Sequence, residues 1–254
     1  PTGRFPSPSF VELVENQNLH GEKDVQLVIV SHEDFLSQAN EVARLHEQYD
    51  GIKTLVVTPK QIFNEYSSGT PDATAFRWLM KQFYDRVEQG GKNPENLLLF
   101  GATTCDHRSL LSQNNQQQKM LSYQSENSLS VDISSYGTDD YFALLDDEEG
   151  ANLLSGKMDI GVGRLWARTT DEANVLVSKI KKYIVDNQKG SWKTNLIYLA
   201  DDNPDQTNGF DLGFTYEGDF LAKQIESAYP EFTPRRMFFD AYPQVSSASS
   251  ETLP

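Results

Sequence analysis

LVIVS, at Leu27–Ser31, decides the fold class because it is short, rich in β-branched residues and almost wholly apolar. Such a run is typical of a strand that is covered on both faces. Two similar runs follow, TLVVT at Thr54–Thr58 and NLLLF at Asn96–Phe100. Apolar residues at helical spacing lie between the runs, over 33–49 and again over 76–87. Strands that alternate with helices predict a parallel sheet with right-handed crossovers.

The same alternation returns in the second half of the chain. A Thr-x-x-Glu capping box at Thr169 and Glu172 marks the start of one helix. The two glycines of Gly161-Val-Gly-Arg164 admit a close backbone approach, but they lack the third glycine of a dinucleotide-binding loop. The predicted strands of this half are 158–165, 195–200 and 236–240, and its predicted helices are 170–184 and 216–229.

The pattern gives a domain organisation. We predict an N-terminal lead-in over residues 1–26 and a first α/β subdomain over 27–165, with an acidic insertion at 103–158. Residues 166–254 are predicted to begin a second, truncated subdomain. The chain starts at Pro1 rather than Met, and its last residues have the composition of a helix start. We therefore expect it to be a piece of a longer chain.

The composition excludes several functional classes. The chain has 254 residues, of which 38% are hydrophobic, and a formal net charge of −15 from 22 Lys+Arg and 37 Asp+Glu. The apolar fraction suffices for a core, whereas the negative charge argues against a nucleic-acid partner. No apolar run approaches the roughly 18–20 residues that span a bilayer. A single cysteine, Cys105, excludes an internal disulfide framework and a zinc site built on several thiolates.

The insertion concentrates the negative charge. Residues 120–156 contain eight acidic residues and no Lys, Arg or His. Carboxylates in this density either form a solvated acidic loop or hold a hard cation such as calcium. We take Asp139, Asp140 and Asp146 as the candidate metal ligands of this segment.

A second acidic segment gives two further candidate ligands, Asp201 and Asp205. With Asn203 they form Asp-x-Asn-x-Asp, the first half of a calcium loop. The sixth position is Gln206 instead of Gly, and the twelfth is Leu212 instead of Glu, so the segment is not an EF-hand. The remaining alternatives are a partial calcium site and carboxylates that cap the following helix.

Cys105-Asp106-His107 follows a predicted strand at the edge where open α/β sheets place their sites. A thiolate beside a histidine is the pair that cysteine hydrolases use. Residues two positions apart rarely bring these side chains into hydrogen-bond geometry, so we interpret Cys105 as a loop cysteine without a catalytic role.

Several segments resemble the amino-terminal part of the gingipain-type cysteine peptidases. The resemblance runs from about Leu27 to Thr252. Two further segments, Met120–Ser128 and Tyr141–Gly150, narrow it to the PorU-type sortases of the type IX secretion system of Bacteroidetes. The segments that carry the family resemblance, in order, are Asn96–Gly101, Gly137-Thr-Asp-Asp-Tyr-Phe142, Asp159-Ile-Gly-Val-Gly-Arg-Leu165 and the helix over 170–184.

The resemblance implies a caspase-like three-layer α/β fold of two subdomains and catalysis by a Cys–His dyad. The family's dyad comes after the segment that matches Arg236–Asp240, so no residue of this chain inherits either role, and Cys105 matches neither position. Family members carry structural calcium, for which Asp139 is the best matched ligand. Where the family often has Gly-Asp after the third strand, this chain has Gly101-Ala102.

The function implied by the resemblance is that of a cell-surface endopeptidase. It would remove C-terminal secretion signals from exported cargo at the extracellular face of the outer membrane. Its partners would be that cargo and other secretion-system components, and the present segment alone would be inactive. The alternative from the residues is a non-catalytic, flavodoxin-like binding domain or a degenerate paralogue. A receiver module fits poorly because Ser31-His32 and Gly101-Ala102 occupy the positions of its acidic residues.

Overall fold

The computed structural model describes residues 7–10, 13–87, 91–104, 106–107, 118–125, 136–151, 156–201, 212–242, 245–246 and 251–252. The chain divides into two compact units, residues 1–186 and 187–254. The start of a second subdomain at residue 166 stays a prediction. The helix after residue 169 packs Ala173 and Val177 into the core of the first unit.

The first unit is built on a four-stranded sheet in which every pair is parallel. The strand order is β2-β1-β3-β6. All five residues of β1 are buried, as expected for a central strand covered on both faces. In chain order the strands are β1 (Leu27–Ser31), β2 (Thr54–Val57), β3 (Asn96–Phe100), β4 (Tyr123–Gln124), β5 (Gly137–Thr138) and β6 (Gly161–Leu165).

Among the described residues of the first unit, three α-helices lie between these strands and a fourth follows β6. The second of them was not among the sequence predictions. Thr58 caps it, Gln61 completes a capping box, and Pro59 takes the first helical position. The helices are α1 (Leu36–Tyr49), α2 (Pro59–Tyr66), α3 (Thr74–Asp85) and α4 (Thr170–Lys181), with 3-10 turns at Leu19–Gly21, Glu33–Phe35 and Asp140–Ala143 and a π-helical turn at Lys182–Asp186.

Two hydrophobic clusters cover opposite faces of the sheet and make a three-layer sandwich. Leu27 and Ile29 point to the face covered by α1 and α4. Val28 and Val30 point to the face covered by α2, α3 and the turn at Asp140–Ala143. This alternation along one strand confirms the predicted α/β fold with a parallel sheet.

The second unit contains β7 (Asn195–Ala200) and β8 (Thr233–Phe238), which pair in parallel, and α5 (Leu212–Ala228). Arg236 ties β8 to α5 because its guanidinium binds the carboxylates of Asp219 and Glu226. The unit also has 3-10 turns at Ser191–Lys193 and Phe239–Ala241. An antiparallel pair of short strands, β9 (Val245–Ser246) and β10 (Glu251–Thr252), completes it.

Within the described part of the chain, none of the helices is long and apolar enough to cross a membrane.

Candidate functional site at the carboxyl edge of the sheet

A cavity of about 380 Å³ opens where β3 and β6 of the first unit end. Parallel α/β sheets commonly place their ligand sites at this edge. Both aromatic side chains that line the cavity are partly exposed to solvent, Trp166 at 54% and Tyr136 at 38%. The lining residues are Thr103, Thr104, Ser122, Gln124, Tyr136, Gly137, Thr138, Asp139, Arg164 and Trp166.

Arg164, on β6, holds the wall of this cavity together. Its Nε and Nη2 donate to the two carboxylate oxygens of Asp139, each at 2.7 Å. Its Nη1 donates to the carbonyl of Gly101 and its Nη2 also donates to that of Leu121, both at 2.9 Å. The planar guanidinium can donate two parallel hydrogen bonds to one carboxylate, as it does here. One side chain therefore joins β6 to both ends of the connection between β3 and β4 and to the residue that follows β5.

Gly101 allows the loop after β3 to pass close to residues 119–120. Its φ is +151°, and a Cβ here would lie 3.0 Å from the Cβ of Lys119. The next residue, Ala102, is fully buried, and its carbonyl accepts from the amides of Lys119 and Met120. The departure from the family's Gly-Asp therefore places a small apolar side chain where an aspartate would need buried partners.

Asp146 lies apart from Asp139, in the loop that follows the turn at Asp140–Ala143. Its carboxylate accepts from the hydroxyl of Tyr84, at 3.0 Å. This hydrogen bond, together with burial and the nearby charge of Asp159, raises the pKa of Tyr84 to about 12. The phenol therefore stays protonated at neutral pH and serves as a donor.

Two of the five predicted metal ligands, Asp139 and Asp146, are already hydrogen-bonded to other side chains. Both oxygens of Asp139 are taken by Arg164, and Asp146 is engaged by Tyr84. Asp140 is exposed at the start of its 3-10 turn, and Asp201 is exposed in the second unit. Asp205 lies outside the described residues. Across the described residues, no three His, Cys, Asp or Glu side chains are grouped so as to hold a metal ion.

The described residues that line the cavity include neither histidine nor cysteine, so they do not supply a nucleophile and a base. Cys105 lies outside the described residues. His107 lies near Arg164, and burial, followed by that positive charge, lowers the pKa of its imidazole. The lowered pKa keeps the imidazole of His107 neutral at pH 7.

Sequence reasoning did not predict the contacts of three basic residues. Arg164 was noted in a glycine-containing strand and in a segment that carries the family resemblance, and neither Arg77 nor Lys81 was singled out. A usable signal did exist, since eight acidic residues without a nearby Lys, Arg or His require positive charge from elsewhere in the chain.

The fold and the geometry at the carboxyl edge of the sheet define a parallel α/β domain covered on both faces, whose loops are joined by a half-buried arginine. The model of peptidase family C25 matches residues 20–254, and the chain therefore belongs to that family. This confirms the resemblance to gingipain-type peptidases. A search of curated proteins found no significant match.

Two solved structures illustrate the relationship. Dimeric latent PorU from Porphyromonas gingivalis is 38% identical, with a TM-score of 0.58, over 71% of this chain and 17% of its own length. The Arg-specific cysteine proteinase gingipain R (RgpB) is 12% identical, with a TM-score of 0.50, over 88% of this chain and 43% of its own. The second likeness is one of fold alone. The chain thus spans less than half the length of either protein.

Proposed function

We propose that this chain is part of a longer cysteine endopeptidase of gingipain type that removes C-terminal secretion signals from exported cargo. The observation that carries the proposal is the family match over residues 20–254, supported by 38% identity to PorU. The proposed location is the extracellular face of the outer membrane, in the type IX secretion system of Bacteroidetes. The proposed partners are signal-bearing cargo proteins and other components of that system.

In this proposal the present chain is a scaffold. The resemblance assigns catalysis to a thiolate that attacks the peptide carbonyl carbon and an imidazole that moves the proton. Both groups would come from the longer protein, outside residues 1–254. The part played by this chain is to fix one edge of the parallel sheet through Arg164 and the loops that it joins. The isolated chain should therefore be inactive.

The direct test is a cleavage assay with the longer protein and a cargo protein that carries a C-terminal secretion signal. We expect cleavage at the junction between the cargo and its signal, and no cleavage of the same cargo without the signal. Loss of processing when cysteines are alkylated would support a thiol mechanism. Efficient binding of cargo without any cleavage would favour the alternative, a non-catalytic binding domain or degenerate paralogue.

We also propose structural calcium as a stabilising ion, with Asp140 as a candidate ligand in the first unit and, separately, Asp201 and Asp205 as candidate ligands in the second. Binding to the folded state alone raises the melting temperature by mass action. The test is thermal melting of the chain in EDTA and in millimolar calcium. A rise in Tm with calcium would support the ion, and identical curves would remove it.

A further inference from the structure

The acidic loop, residues 144–151, wraps around two basic side chains of α3. The first is Arg77, which is only 6% exposed. Its Nε donates to the carbonyl of Leu144, and its Nη2 donates to those of Asp146 and Glu149. Three backbone carbonyls of one loop therefore point at a single guanidinium, which is the arrangement expected when a positive charge organises a chain segment.

Lys81 lies one helical turn further along α3 and is 8% exposed. Its ammonium donates to the carbonyl of Leu145 at 2.7 Å and contacts the carboxylates of Asp147 at 2.8 Å and Asp85 at 3.0 Å. An ammonium has three donors, and here each has one acceptor. Burial works to lower the pKa of Lys81, but the two carboxylates outweigh burial and raise it, so the charge is kept.

The loop is shaped to fit the guanidinium. Gly150 has a φ of +93°, and a Cβ at this position would lie 3.1 Å from Cζ of Arg77. The ring of Tyr141 lies 5.6 Å from the same carbon, within the range of a cation–π contact. Only glycine combines this backbone conformation with so close an approach.

Inward-facing carbonyls and nearby carboxylates are also the ligands that calcium prefers. We infer that Arg77 and Lys81 are the resident counter-ions of the acidic loop, and that its conformation does not depend on a bound calcium ion. The inference explains how a loop with four acidic residues and no basic ones packs against α3. The positive charge comes from a helix more than sixty positions earlier in sequence.

The test combines amide hydrogen exchange and thermal melting of the 254-residue chain in EDTA and in 5 mM calcium chloride. In the wild-type chain, exchange over residues 144–151 should be the same in both buffers. In Arg77→Met and Lys81→Met, which keep side-chain length without the charge, exchange there should be about tenfold faster or more. Their Tm should fall by about 5–10 °C. The matched control Arg168→Met removes only an exposed pair with Glu172 and should change neither readout.

Two outcomes would overturn the inference. One is calcium-dependent protection of residues 144–151 in the wild-type chain. The other is exchange in both variants that equals exchange in the wild type. If a variant does not fold, the wild-type comparison between the two buffers decides alone. Calcium-dependent protection confined to other segments, such as residues 201–211, would support the separate calcium proposal and leave this inference standing.

Discussion

Replacing Arg164 with methionine should destabilise the first unit more than any exposed charge substitution. The side chain is 9% exposed and its partner Asp139 is 22% exposed, so water replaces the lost hydrogen bonds poorly. The substitution leaves one carboxylate and two backbone carbonyls, those of Gly101 and Leu121, without their donor.

The magnitude follows from the burial of the pair. Breaking a buried ion pair by removing one partner costs about 3–5 kcal/mol. In a unit of this size each kcal/mol lowers Tm by about 2–4 °C, so we expect a drop of about 6–20 °C for Arg164→Met. Arg164→Lys keeps the charge but loses the planar fork, and roughly half of that drop should remain.

Chemical denaturation and calorimetry of four chains form the assay: wild type, Arg164→Met, Asp139→Asn and the double variant. A double-mutant cycle should give a coupling energy of about 2 kcal/mol between Arg164 and Asp139. The control is Arg168→Met, which should stay within about 2 °C of the wild-type Tm. An Arg164→Met chain that melts no lower than this control would rule out a stabilising role of the pair, and an Arg164→Lys chain with the wild-type Tm would rule out a need for the planar guanidinium.

Three further predictions concern the same unit. Gly101→Ala should cost about 1–3 kcal/mol in urea unfolding because of its φ and the nearby Lys119 Cβ; an unchanged midpoint would contradict the close approach. Phe76→Ala, at a fully buried ring stacked on Phe63, should cost about 3–5 kcal/mol in the same assay, and a cost below about 1 kcal/mol would place the ring outside the core. Burial, followed by Lys119, lowers the pKa of His32, so the unfolded chain binds a proton first as pH falls below 6.5. The free energy of unfolding should therefore decrease from pH 7.5 to 5.5, and it should decrease less in His32→Gln. If the free energy of unfolding has the same pH dependence in both chains, the pKa of His32 is not lowered by folding.

Much of the fold follows from local sequence. The apolar runs at 27–31, 54–57 and 96–100 are strands of one parallel sheet because residues of such character are covered on both faces. The helix α2 is absent from the sequence predictions although Thr58 and Gln61 carry a capping-box signal. Pro59 both ends β2 and begins α2.

The site was less accessible to sequence reasoning because its contacts are long-range. Asp139 was a candidate metal ligand on the evidence of its acidic neighbours, whereas the structure pairs it with Arg164, twenty-five positions away. No periodicity or spacing rule predicts such a pair, because it depends on how β6 and the insertion meet in space. The same holds for Arg77, whose partners are backbone carbonyls that a sequence does not display.

We propose that this chain scaffolds a cysteine peptidase whose reactive thiol lies elsewhere in the longer protein. The decisive experiment labels the longer protein with a thiol-directed peptide inhibitor and maps the labelled residue by mass spectrometry. We expect one labelled cysteine outside residues 1–254, labelling that is unchanged in Cys105→Ser, and no turnover by the isolated chain. Labelling of Cys105, with thiol-dependent hydrolysis by the isolated chain that Cys105→Ser abolishes, would contradict this proposal.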